Sequence, residues 1–136
     1  MANYNDPMNF IFEAMDIYKE GHLESAIYVT CIAEEEFVKN MDFIGIMSCL
    51  DFIEAVRKKI EIRVQRDLAN RGVRLTSENL RQSMLNRCDT NNLKKLLDEF
   101  NRPLSASLRN RVVSYFDIDY GPLGSEAIYK RVLKEN

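Results

Sequence analysis

An arginine and an asparagine, Arg109 and Asn110, stand about one helical turn before Ser114 in the segment Leu108-Arg-Asn-Arg-Val-Val-Ser-Tyr-Phe-Asp117. Arg109 and Arg111 have two readings, as anion-binding groups or as surface charges flanking Leu108 and Val112. Proton transfer at such a site needs a group that titrates near neutrality. A serine hydroxyl is not an effective general base by itself, and the single histidine, His22, lies in the first interhelical turn. A proton carrier beside Arg109, Asn110 and Ser114 requires His22 to fold over Arg109. Glu34, Glu35 and Glu36 point in successive directions on a helix. They also lack the Glu-x-x-His pairing of a carboxylate-bridged metal site, so no metal is expected. Glu35 or Glu36 is expected to turn inward and pair with an arginine such as Arg109.

The remaining cations are distributed unevenly. Through Glu54 there are eleven Asp or Glu against two Lys or Arg, a charge of −9; from Ala55 onward there are ten against seventeen, a charge of +7, consistent with the net −2. A basic half of this kind can form a nucleic-acid surface, with Arg57, Lys58, Arg63, Arg66, Arg109 and Arg111 as its residues. The alternative is neutralisation between the two halves across packed helices or across a dimer. Tyr115, Phe116 and Tyr120, close to the basic helix, can stack on bases, although core packing of at least two of them is the expectation.

Positioning these groups requires a folded core. A chain of 136 residues fits one domain, residues 1–136, and buries about two thirds of the surface its unfolded form exposes. Five glycines and three prolines are too few for an all-β fold rich in turns. The cysteines, Cys31, Cys49 and Cys88, are odd in number and widely spaced, which fits buried thiols in a reducing compartment. The most apolar run, 43–56, is broken by Asp51 and Glu54 well short of a membrane span. No basic-then-apolar leader opens the sequence. The expectation is a soluble cytoplasmic protein, with no membrane and no cofactor pocket, because the methionines and aromatic residues fall mainly at helical core spacing.

Punctuation divides the chain into helices. Asp6-Pro7 starts a first helix and Gly21 ends it. Leu23 to Val38 carry an apolar surface broad enough for a central helix packed on several sides. A long third helix is expected from about Asp42 to Asn70, with Gly72 as its stop. Shorter helices follow: one capped by Ser77 and running through Asn86, one capped by Asp89 or Thr90, one from about Leu104 to Phe116, and a last one capped by Ser125. The architecture expected is all-α, an up-and-down bundle of four principal helices with short additional helices.

Two stretches resemble a known family. Ala14-x-x-x-Tyr18-x-x-Gly21-x-x-x-x-Ala26, followed by Ala33-Glu-Glu-Glu-Phe-Val-Lys39, is similar to the first helical hairpin of the HEPN superfamily, in particular its AbiV-like abortive-infection branch. The segment from Leu108 to Asp117, with Gly121-Pro122 beyond it, resembles the later helix that bears the superfamily's arginine-to-histidine motif. The resemblance implies an α-helical domain, often dimeric, whose active members cleave RNA without metal. In them the arginine holds the scissile phosphate and the histidine assists proton transfer as a 2′-hydroxyl attacks. Arg109 and Asn110 match the first positions of that motif, and Ser114 stands in place of the histidine.

Three functions follow as expectations. One is a non-catalytic or weakly active HEPN-like module that binds RNA or an acidic protein partner, in microbial or phage defence and as a possible homodimer. A second is a metal-independent ribonuclease using Arg109, Asn110 and His22. The third is a small helical inhibitor or assembly subunit acting through protein contacts alone. No glycine-rich phosphate loop, nucleophile elbow or cysteine with a downstream histidine points to another enzyme class.

Overall fold

The computed structural model describes residues 6–120, and these form an all-α helical bundle. Its elements are α1 (Met8–Lys19), α2 (Leu23–Lys39), α3 (Phe43–Asn70), α4 (Ser77–Asn86), α5 (Thr90–Glu99) and α6 (Ala106–Tyr115). The helix expected after Ser125, and Gly121-Pro122, lie outside the described residues. No helix among the described residues is long and apolar enough to cross a membrane.

The central position of α2 follows from its composition. Apolar residues on nearly every side leave twelve of its seventeen residues buried, and it packs against α1, α3, α5 and α6. Its seating on α3 depends on Gly45: a Cβ there would lie 2.3 Å from a ring carbon of Phe37, so only glycine admits the aromatic ring at this crossing. Tyr18 of α1 meets Phe52 of α3 edge to face at 5.8 Å, and Phe10 meets Phe100 at the end of α5 at 5.4 Å.

Helix ends are specified locally. Asp42, Thr76, Asp89 and Ser105 each accept a hydrogen bond from a first-turn amide, the usual N-terminal cap. Thr76 therefore takes the role expected of Ser77, which becomes the first helical residue. α6 starts at Ala106 rather than Leu104, because Ser105 caps it after Pro103. Four helices close through left-handed residues, Gly21, Met41, Gly72 and Asn101. At each, the next amide reaches back to the helix: His22 to Ile17, Asp42 to Phe37, Val73 to Leu68 and Arg102 to Leu97. Glycine and asparagine tolerate this backbone, whereas Met41, at φ 52°, carries a Cβ penalty of about 1 kcal/mol.

Length then decides what is exposed. With about 1.5 Å of rise per residue, the 28 residues of α3 outrun the 17 of α2 by about 16 Å. Lys59 of α3 lies over the Tyr18 ring near the end of α1, 4.8 Å from its centroid. The basic C-terminal part of α3 continues beyond that point, packed against α4.

Candidate functional site

The two halves of α6 carry different chemistry. Leu108, Arg111, Val112 and Tyr115 form its buried face, while Arg109 and Asn110 are exposed. Arg111 was expected on the positive surface, yet it is only 7% exposed. Its Nε lies 3.7 Å from the Glu34 carboxylate, which is itself completely buried. The Tyr115 hydroxyl donates to that carboxylate, with both oxygens at 2.7 Å. The inward-facing glutamate is thus Glu34, not Glu35 or Glu36, and its arginine is Arg111, not Arg109. Glu36 pairs instead with Arg102. Helical spacing carries the signal: Glu34 follows Ile27, Thr30 and Cys31 on the buried arc of α2, and Arg111 lies three residues after Leu108.

The HEPN-like positions sit apart from this buried group. Arg109 is near enough to the half-buried Cys88 thiol to act on its titration. Burial pushes that thiol up to about 11, while the Tyr28 hydroxyl and the Arg109 charge pull the other way. Ser114 is half-buried, and its hydroxyl donates to the Arg111 carbonyl at 2.6 Å, a bond back to the preceding turn. His22 borders a shallow depression of about 410 Å³ with Glu13, Ile17, Glu99 and Phe100, and neither Arg109 nor Ser114 lines it. The structure does not gather the arginine, the asparagine and the imidazole into that depression.

The cations of α3 divide in the same way. Arg57 is half-buried and donates to the Asp117 carbonyl at 3.2 Å, and burial lowers its pKa. Beside it, Arg81 of α4 grips the Asp117 carboxylate through two bonds, 2.8 and 2.9 Å. This holds that carboxyl down at about 2. The resulting clasp joins α3 and α4 to the turn after α6, and sequence alone offers no sign of it beyond the turn-forming composition. Lys58 makes a loose pair with Glu54 at 3.8 Å. Arg63 and Arg66 are exposed and make no ion pair among the described residues. Lys59, also exposed, shares their side of the helix at spacings of four and seven residues.

Of the aromatic residues proposed to stack on bases, Tyr115 and Phe116 are fully buried. Tyr120 remains exposed, edge-on to Tyr115 at 5.8 Å. Cys31 and Cys49 are buried free thiols, and burial raises the pKa of Cys49 well above that of an ordinary thiol. No cluster of three or more histidine, cysteine or acidic side chains among the described residues is arranged to hold a metal ion. No family model, curated protein or solved structure matches the chain.

Proposed function

We propose that this chain is a non-catalytic helical module that binds single-stranded RNA along the C-terminal flank of α3. The observation that carries the reading is the exposed set Lys59, Arg63 and Arg66, which starts where Lys59 meets Tyr18 of α1 and continues along the part of α3 beyond it. Their spacings place successive cations about 6 and 4.5 Å apart along the helix axis, a separation suited to following a phosphate backbone. Ion pairs do not consume Arg63 and Arg66 among the described residues, so their charge is available to a polyanion. The HEPN-like Arg-Asn pair at Arg109 and Asn110 favours RNA as the polyanion and adds a fourth exposed cation on a different helix. Against catalysis stand the serine in place of the motif histidine, its hydroxyl engaged with its own helix, and His22 in a depression that Arg109 does not share.

The test is fluorescence polarisation of a labelled 20-nucleotide RNA. With three phosphate contacts, the logarithm of affinity should fall against the logarithm of salt with a slope of about −2, or about twentyfold between 50 and 200 mM. The triple variant Lys59→Glu, Arg63→Glu, Arg66→Glu should lose that binding while keeping its helical circular dichroism. Binding that is absent at 50 mM salt, or indifferent to the triple variant, overturns the reading. RNA cleavage that disappears in His22→Ala restores the ribonuclease reading in its place.

A further inference from the structure

Helices α1 and α5 both pack on α2, and between them lies the depression of about 410 Å³ that His22 borders. Its floor is apolar. Ile17 of α1, with Leu96 and Phe100 from α5 and its end, rest on the core and are only half-buried. The flanking helices each add a carboxylate, Glu13 from α1 and Glu99 from α5. Neither makes an ion pair among the described residues, although Lys95 stands one turn before Glu99. No lysine or arginine among the described residues lines the depression. Arg102, two residues beyond Phe100, is taken by Glu36 and lies over the Phe10 ring, 5.3 Å from its centroid. Asp16 and Glu20, both exposed, follow Glu13 at intervals of three and four residues and extend the negative edge along α1.

We infer that this depression docks a basic segment of a partner protein through an arginine with an apolar residue beside it. Charge complementarity selects the occupant: two carboxylates without cations of their own attract a positive group and repel a polyanion such as RNA. The apolar floor between them selects its body. A guanidinium has five donors in one plane, which two carboxylates can share, and it stacks on an aromatic ring such as Phe100. Its methylene stem covers apolar surface of the kind that Ile17 and Leu96 present. The ammonium of lysine is a compact, strongly hydrated charge and gains less from such a floor. A volume of about 410 Å³ is at the small end of ligand pockets, about 300–1,000 Å³. It suits one or two anchoring side chains rather than a broad domain face. The inference goes beyond the RNA reading and does not depend on it, because this site is built from α1, α2 and α5 and the RNA-binding cations belong to α3 and α6.

Calorimetric titration of the whole chain with the peptide acetyl-Gly-Leu-Arg-Leu-Arg-Gly-amide tests the assignment. A contact of this size should give a dissociation constant of about 10–100 μM. The equally charged peptide with serine in place of both leucines should bind about tenfold more weakly or worse, since it leaves the floor uncovered. Lysine in place of both arginines should cost about threefold or more. Glu13→Gln and Glu99→Gln, at solvent-accessible helical positions, should each weaken binding by about three- to tenfold while the helical circular dichroism stays unchanged. The double reversal Glu13→Lys, Glu99→Lys should abolish binding of the arginine peptide and admit its counterpart with glutamate at both arginine positions. Absence of binding at about 1 mM peptide overturns the inference. So does affinity that ignores both glutamine variants, or that survives the exchange of leucine for serine, which is attraction to net charge alone. Spermidine bound as tightly as the peptide overturns the protein partner in favour of a small polyamine.

Discussion

Beneath α6, Glu34 is sealed from water with Arg111 and Tyr115 around it, whereas at the C-terminal end of the same helix Arg81 and Asp117 form a bidentate pair that solvent reaches. The geometry of the outer pair is the better of the two, at 2.8 Å against 3.7 Å. Its contribution to stability is nevertheless the smaller, because water and salt screen exposed charges and both side chains give up rotamer freedom to meet. The inner group would be expensive to disturb for the opposite reason. Each charge has been taken out of water, so the loss of one leaves another without its compensation. What separates the two regions is therefore the solvent around each pair rather than the number or length of their bonds.

The largest effect should come from the inner group. Arg111→Ala leaves the Glu34 carboxylate buried without its cation and should cost about 3–5 kcal/mol, read from the urea midpoint of unfolding. A value below 1 kcal/mol would mean that the two regions do not differ in the way burial requires. Tyr115→Phe is a finer cut, since it keeps the ring packed and removes only the hydroxyl that donates to Glu34. A hydrogen bond to a buried charged acceptor is worth about 1.5–3 kcal/mol, so its loss should fall between the arginine deletion and any change at Asp117.

The same contrast explains how far the sequence could be read. Helix ends were legible because their causes lie within a few residues: Asp42 caps α3, Gly72 closes it, and the expected span from about Asp42 to Asn70 agrees with the observed helix. The width of the apolar surface on α2 likewise announced a helix with neighbours on several sides. Partners of buried charges were not legible. Periodicity puts both Glu34 and Arg111 toward the inside, but the contact that compensates them joins positions 77 residues apart in the chain. An arginine on the edge of an apolar stripe looks the same in sequence whether it reaches outward, as Arg109 does, or folds beneath the helix, as Arg111 does. The clasp at Asp117 was hidden for a similar reason, because its arginines come from α3 and α4.

At the outer pair the informative variable is pH. Asp117 has its carboxyl held at about 2, from an ordinary 3.8, chiefly by the hydrogen bonds from Arg81. A folded pKa below the unfolded one means that the unfolded chain binds the proton more readily, so stability falls as pH drops. The contribution of Asp117 should be fully present above about pH 4 and lost as pH falls toward 2. Asp117→Asn keeps an oxygen for Arg81 and for the Asp119 amide, which lies 3.0 Å from Oδ1, and removes only the charge. After solvent screening, the difference between the native chain and this variant at pH 7 should be under about 1 kcal/mol. It should shrink further in 1 M salt and vanish at the acid end of the window. A difference that is large, insensitive to salt and constant from pH 7 to pH 2.5 would place Asp117 with Glu34, as a charge the fold cannot spare, and would remove the distinction between the two ends of α6.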